Sequence, residues 1–235
     1  SLPPAFWLWV AGLIPLELLA MWLYMKAIRK SPLSLTLPYL AFTPVFNTVT
    51  GYAILGETVS LVGFSGILLV VAGAWLLNLH HVRHNGGLDM LAPFRAITRE
   101  PGSRLMLIVA ALYSLTSVMG KGALQYTTAG FLGPFYFVIL GLATIVVFHA
   151  NGSVALQILT RRRWAHLGIG VFMAGLVVTH FYAINHVEVA YMIAVKRTSL
   201  LFGMLYGAWL FKESGLTKNL SAGALMIAGV YLIAG

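Results

Sequence analysis

The 235-residue sequence contains no cysteine and few charged side chains, and each shortage excludes a class of protein. Without cysteine the chain has no disulfide bond, no thiol nucleophile and no cysteine-ligated metal. Only 9% of its residues are charged, whereas soluble domains contain about 25%. Hydrophobic residues make up 60% of the chain. This composition indicates an integral membrane protein, for which the lipid bilayer is the first partner.

The apolar runs predict an all-α polytopic membrane protein. At about 20 apolar residues per crossing, the chain has room for about eight transmembrane helices joined by short loops. Pro38 and Pro44 fall within the second run, where they are expected to kink a membrane helix. The polar stretch 80–104 is predicted to be a cytoplasmic linker. The predicted helices cover residues 5–27, 33–55, 60–79, 105–124, 131–150, 165–185, 189–213 and 220–235.

The 15 Lys and Arg residues are distributed unevenly between the loops. Three, four, three and two of them lie at the loops that follow the first, third, fifth and seventh helices, whereas the opposite loops hold only Lys121. The positive-inside rule therefore predicts that the more basic side faces the cytoplasm. Because these residues act as topology signals, the net charge of +9 does not indicate nucleic-acid binding. The expected location is the bacterial inner membrane.

The chain contains an internal repeat at an offset of 156 residues. Glu57 pairs with Glu213 in this alignment, and the charge distribution places these two glutamate turns on opposite sides of the membrane. The two copies are therefore predicted to be inverted. Inverted repeats are typical of secondary transporters, which bind substrate at the repeat interface near the midplane. Further pairs are Ala27-Ile28 with Ala183-Ile184, Phe46 with Phe202, Gly51 with Gly207, Ser65 with Ser221, Ala72-Gly73 with Ala228-Gly229, and Trp75-Leu76 with Tyr231-Leu232.

Each copy also carries the same succession of short motifs: a tyrosine-led segment, a central helix, a turn ending in glutamate and a glycine-containing last helix. The residues concerned are Tyr24 to Ile28, Pro38, Pro44, Gly56-Glu57 and Gly66 to Gly73, then Tyr182 to Ile184, Lys212-Glu213 and Gly223 to Gly229. In order and type they resemble the half-repeat of EamA-type transporters in the drug/metabolite transporter superfamily. The resemblance implies a bundle of five plus five helices that transports small metabolites. On this interpretation residues 1–79 are the last three helices of the first repeat, 80–104 is the linker, and 105–235 is the five-helix second repeat, so that the first two helices of the architecture are lacking.

Two adjacent cations, Lys196 and Arg197, lie inside the seventh predicted helix. A cation in the bilayer core costs roughly 2.5–3.5 kcal/mol on insertion scales, so such residues usually face a partner or a cavity. Glu17 is the one carboxylate well inside a predicted helix, at a similar depth. We expect Glu17 to pair with the cations until an anionic substrate displaces it or a proton neutralises it. A static buried ion pair between the two helices is the alternative.

Other polar side chains extend this candidate binding site. Ser199 and Tyr206 share a helix face with Lys196. His180, near the end of the sixth helix, is placed to relay protons, although a hydrogen-bonded structural histidine explains it equally well. Tyr39 and Asn47 are candidates on the second helix. The predicted substrate-binding set is therefore Lys196, Arg197, Glu17, Ser199, Tyr206, His180, Tyr39 and Asn47.

These patterns predict a secondary transporter that moves a small polar, anionic or zwitterionic metabolite by alternating access. Two alternatives remain: an amino-acid or drug exporter with a structural Lys-Arg pair, and a non-transporting scaffold or sensor derived from a transporter. The sequence lacks HExxH, GxSxG and an intramembrane Asp pair, so no enzyme is predicted. No cofactor is predicted, and the HHxxH at residues 80–84 is too small a ligand set to predict a metal site. The expected partner is a small-molecule substrate, and a homodimer stays open.

Overall fold

The computed structural model of the protein is helical throughout the residues it describes. These are residues 2–31, 36–79, 100–150, 162–199, 201–202 and 220–234, and they contain no strand. The predicted all-α class is confirmed. The helices are α1 (Pro4–Lys30), a 3-10 helix (Leu37–Phe42), α2 (Thr43–Leu55), α3 (Leu61–Leu79), α4 (Pro101–Leu124), α5 (Ala129–Ala150), α6 (Arg163–Ile184), α7 (Val189–Arg197) and α8 (Leu220–Ala234).

Four of these helices, α1, α4, α5 and α6, are long and apolar enough to cross a bilayer. The 27 residues of α1 extend over about 40 Å, which exceeds the roughly 30 Å hydrocarbon core of a membrane. Shorter apolar stretches lie in α3 and α8. Large apolar side chains such as Phe172 and Trp164 are exposed on α6, as expected for contact with lipid. The chain is an integral membrane protein.

The second predicted helix, 33–55, is divided into two helices in the structure. A 3-10 helix covers Leu37–Phe42, and α2 follows it directly from Thr43. Pro38 and Pro44 each lie in the first turn of one of these helices. Proline fits this position because the first N–H groups of a helix have no intrahelical acceptor. The two prolines therefore restart the helix rather than bend a continuous one.

α2 ends at Gly56, whose φ of 70° lies in the left-handed region. Glycine is the residue that adopts this conformation without steric cost, and it commonly terminates helices. The chain then turns at once toward α3, with Glu57 as the next residue. In the Gly-Glu pair noted in the sequence, Gly56 thus terminates the helix and Glu57 supplies a carboxylate directly after it.

The fourth and seventh predicted helices agree with the structure to different extents. α4 begins at Pro101, four residues before the predicted start at residue 105. α7 begins at Val189 as predicted and is described as far as Arg197. Residues 80–99 and 203–219, which hold most of the predicted linker and the end of the seventh predicted helix, lie outside the described part of the chain.

The chain divides into two compact units, one of Ser1–Leu18 with Met119–Val187 and one of Leu19–Val118 with Glu188–Gly235. Each unit takes helices from both predicted repeats, so the division into 1–79, 80–104 and 105–235 remains a prediction from the sequence. In the first unit, α5 and α6 pack closely where Gly133 meets Val178. A Cβ at Gly133 would lie 3.1 Å from the Val178 Cα atom.

In the second unit, α3 and α8 cross at glycines. A Cβ at Gly66 would lie 2.6 Å from the Gly229 carbonyl oxygen, and a Cβ at Gly229 would lie 2.5 Å from the Gly66 carbonyl oxygen. Farther along, a Cβ at Gly73 would lie 2.6 Å from the Ala222 carbonyl oxygen. Small residues allow such close helix contact in membranes. The buried apolar residues around this crossing are Ala41, Ile67, Val70, Val71, Ala74, Ala190, Ala194 and Met226.

Candidate functional site

The candidate site begins on α2, a helix that buries polar residues and exposes apolar ones. Thr43 and Asn47 are each 1% exposed, whereas Val49 and Tyr52 are each 66% exposed. A helix of a soluble protein does the opposite, because its apolar face packs into the core. In a membrane protein, polar side chains face the bundle interior or a water-filled cavity. The polar face of α2 is therefore turned toward the interior of its unit.

Arg197, the last residue of α7, reaches this polar face. Its Nη2 group donates a hydrogen bond of 2.9 Å to the Thr43 hydroxyl oxygen. That hydroxyl donates its own hydrogen to the Leu40 carbonyl oxygen at 2.7 Å, so it presents a lone pair to the guanidinium. Tyr113 of α4 lies close enough to interact electrostatically with Arg197. The Nε of Arg197 is buried and has no hydrogen-bond partner among the described residues.

A second polar contact joins α2 to α4. The hydroxyl oxygens of Thr50 and Ser114 lie 2.6 Å apart and share a hydrogen bond. Ser114 is fully buried and is the neighbour of Tyr113 in sequence. Asn47 lies between Thr43 and Thr50 on the same face of α2, four residues from one and three from the other. Both polar atoms of its amide are buried without a partner within the described ranges.

We call this group the polar cluster; it consists of Thr43, Asn47, Thr50, Tyr113, Ser114 and Arg197. It presents the N–H of Arg197 Nε, together with an amide that can both donate and accept. A buried polar group without a partner costs roughly 1–3 kcal/mol, so native structures leave few of them. Arg is suited to carboxylate and phosphate groups because its donors form a planar fork. The cluster therefore offers donors and an acceptor of the kind that a small polar molecule with an anionic group would require.

The polar cluster includes two of the predicted site residues, Arg197 and Asn47. Lys196 is exposed instead, as is Ser199 just beyond α7. Adjacent side chains on an α-helix point about 100° apart, so a Lys-Arg dipeptide cannot present both cations to one neighbour in the same way. The two cations treated as a pair in the sequence thus have different surroundings. Tyr206 lies outside the described residues.

The other three predicted residues are not members of the polar cluster. Tyr39 is fully buried, with its ring centroid 5.4 Å from that of Trp75 in an edge-on contact, and its hydroxyl forms a hydrogen bond with Ser103. Glu17 on α1 and His180 on α6 belong to the first unit and are both partly buried. The pairing of Glu17 with the two cations of α7 remains a prediction.

The sequence analysis missed Thr43, Thr50 and Ser114. A signal for the first two was available, because with Asn47 they recur at positions i, i+4 and i+7 and so form a polar stripe on one helix face. Ser114 had no such signal, since α4 carries several hydroxyl residues. The hydroxyl groups of Thr116 and Ser117 each donate a hydrogen bond to the Tyr113 carbonyl oxygen of their own helix. Ser114 is distinguished from these residues only by its contact with Thr50 of α2.

The part of the chain that the structure describes contains no group of three or more His, Asp or Glu residues that could hold a metal ion. The HHxxH at residues 80–84 lies outside the described residues.

Comparison with known proteins shows that the chain is similar to transporters. Residues 1–79 match the sequence profile of the EamA-like transporter family. An uncharacterized transporter of Methanothermobacter thermautotrophicus is 25% identical over 202 residues, which cover 80% of this chain and 53% of that protein. The chain thus spans about half the length of the curated relative that it matches. These findings confirm the resemblance to the EamA-type transporters of the drug/metabolite transporter superfamily, and the family match itself covers residues 1–79.

Proposed function

We propose that this protein is a secondary transporter that moves a small polar metabolite with an anionic group across the membrane by alternating access. The observation that carries the proposal is the polar cluster. Arg197 Nε and both amide atoms of Asn47 are buried without partners in the described residues, in a chain that is 60% hydrophobic. A purely structural polar group is normally satisfied within the protein. A transported molecule would supply the missing partners while it is bound.

The anionic character of the substrate follows from the surroundings of Arg197. Its Nη2 group donates to the Thr43 hydroxyl on α2, and on α4 it interacts electrostatically with Tyr113. A hydroxyl accepts a hydrogen bond from a guanidinium but does not neutralise its charge. A carboxylate or phosphate would do both, in a charge-assisted hydrogen bond about twice as strong as a neutral one.

Alternating access is supported by the crossing of α3 and α8. The repeat offset of 156 residues aligns Gly66 with Ala222 and Gly73 with Gly229. The contact of Gly66 with Gly229 therefore corresponds to the contact of Gly73 with Ala222, and both are present. This reciprocity is expected if a pseudo-two-fold axis relates the two helices, as in transporters built from inverted repeats.

The comparisons support the same class of function. The match of residues 1–79 is to a transporter family, and the related archaeal protein is described as a transporter. The uneven loop charges further support our proposal that the protein lies in a bacterial inner membrane with its more basic side in the cytoplasm.

Countertransport in liposomes tests this function. The purified full chain would be reconstituted, and uptake of labelled carboxylates, phosphate esters, zwitterionic amino acids and amphipathic cations would be compared, with each compound also loaded inside. We expect at least one anionic or zwitterionic compound to be exchanged faster than in protein-free liposomes. Exchange of amphipathic cations alone would favour a drug exporter, and no exchange by a folded, monodisperse sample would favour a scaffold or sensor; either result contradicts the proposal.

A further inference from the structure

Glu57, the carboxylate of the Gly-Glu turn, is not used by the polar cluster but contacts the helix that carries Arg197. Its Oε2 atom accepts a hydrogen bond of 2.9 Å from the backbone N–H of Val189. Val189 is the first residue of α7, and the first N–H groups of a helix lack intrahelical acceptors. A carboxylate at this position is also stabilised by the positive end of the helix dipole. Glu57 therefore caps α7 from a distant part of the sequence.

The position of Glu57 is set by the end of α2. Its backbone N–H donates to the Gly51 carbonyl oxygen at 3.2 Å. A Cβ at Gly51 would lie 3.1 Å from the Glu57 Oε2 atom, so glycine leaves the room that the carboxylate occupies. The left-handed Gly56 directs the chain back over the helix end, as described above. Local sequence thus aims this side chain at α7.

A second contact fastens the same end of α7. The backbone N–H of Ser60 donates to the Tyr191 phenol oxygen at 3.0 Å, and the two hydroxyl oxygens lie 3.3 Å apart. The Tyr191 ring lies against Gly63, where any side chain would overlap it. Residues 57 and 60 of the α2–α3 connection therefore hold the first turn of α7 at two points.

These contacts lie at the opposite end of a helix pair from Arg197. α2 and α7 are antiparallel, because Thr43 at the start of α2 meets Arg197 at the end of α7, while Gly51 and Glu57 lie at the start of α7. Eight residues separate Gly51 from Thr43 and Val189 from Arg197, which corresponds to about 12 Å along each helix. The charge distribution predicts that the Glu57 end faces outside.

We propose that Glu57 and Tyr191 form a latch that closes this end of the α2–α7 pair over the polar cluster. Both contacts are hydrogen bonds to a loop at the helix ends, where water can replace either partner once they separate. Release of the latch would let the first turns of α7 move away from α2 and open the cluster from that side. The latch rests on the proposed alternating access, since a gate has a purpose only if the cluster binds a transported molecule.

The absence of cysteine makes the latch testable without knowledge of the substrate. In an Ala190→Cys variant, the introduced thiol replaces a side chain that is 1% exposed, one residue beyond Val189. Its labelling by a membrane-impermeant maleimide would be timed in native membranes, with and without Glu57→Ala. Removal of a helix cap shifts an equilibrium by about 2- to 30-fold. We expect the labelling rate to rise by that factor.

Two controls separate latch release from unfolding. Glu100 also lies at a helix start and accepts a hydrogen bond of 2.9 Å from Ser31 Oγ, so Glu100→Ala should leave the labelling of Cys at position 190 unchanged. Ala123→Cys, in a fully buried position near a loop predicted on the same side of the membrane as Glu57, should stay unlabelled in the Glu57→Ala background. An unchanged rate at position 190 after Glu57→Ala, or labelling at position 123 as well, would overturn the latch. Neither result depends on transport, so failure of the latch and failure of the proposed function are distinguishable.

Discussion

Replacement of Asn47 by leucine should stabilise the protein and abolish transport. Asn47 is 1% exposed, and its amide oxygen and nitrogen have no partner among the described residues. A buried polar group in this condition costs roughly 1–3 kcal/mol, and an apolar side chain of similar volume removes the cost. The expected gain in the free energy of unfolding is therefore about 1–3 kcal/mol. The same change removes the amide that we propose to contact substrate.

Thr43→Val, one helical turn earlier, is the matched control, and it should change the free energy of unfolding in the opposite direction. The Thr43 hydroxyl makes two hydrogen bonds, to the Leu40 carbonyl oxygen and from Arg197. Valine has nearly the same shape but would leave the Arg197 Nη2 group without its acceptor. We expect a loss of about 1–3 kcal/mol from this substitution.

Thermal unfolding in detergent, followed by the fluorescence of the six tryptophans, would measure both effects. For a chain of this size, 1 kcal/mol corresponds to roughly 2–4 °C in Tm. Asn47→Leu should therefore raise Tm by about 2–12 °C, and Thr43→Val should lower it by a similar amount. A lower Tm for Asn47→Leu would refute the reasoning, because it would show that the amide has structural partners.

Three further substitutions test other parts of the account. Gly66→Val places a side chain against the Gly229 carbonyl oxygen, which would lie 2.6 Å from the new Cβ. The free energy of unfolding should fall by at least about 1–3 kcal/mol and Tm should fall with it, whereas a wild-type Tm would contradict the close crossing of α3 and α8. Gly56→Ala, at a φ of 70°, should cost about 1–2 kcal/mol, whereas Gly56→Asn should cost less; equal Tm values for the two variants would argue against a left-handed cap. Tyr191→Phe removes one of the two latch contacts, so it should accelerate labelling of Cys at position 190 less than Glu57→Ala does; an equal or greater effect would show that the glutamate contact adds nothing.

The helices that contact lipid could be predicted well from the sequence. The predicted ranges 131–150 and 165–185 correspond to α5 at Ala129–Ala150 and α6 at Arg163–Ile184. Continuous apolar composition defines such helices, and their neighbours have little influence. The division at the 3-10 helix was less accessible. Proline in a membrane helix allows either a kink or a restart, and the choice depends on which neighbours accept the freed backbone groups.

The candidate site shows a different limit. Composition identified Arg197 as an anomaly, but Lys196 beside it was equally anomalous. Which of two adjacent side chains faces the interior depends on the packing of α7 against α2, and no property of the dipeptide contains that information. Glu57 shows the same limit, since its contact with Val189 joins positions 132 residues apart. The turn itself was predictable, but the helix that it caps was not.

Uptake by an Arg197→Met variant in liposomes most directly tests the central claim that the polar cluster binds the anionic group of a transported molecule. The assay would use whichever anion the wild-type protein exchanges fastest, at equal protein content and with Tm as a check of folding. Loss of one partner from a buried, hydrogen-bonded charge pair costs about 2–5 kcal/mol. We therefore expect uptake at low substrate concentration to fall by about 30-fold or more. Uptake at the wild-type rate would contradict the claim.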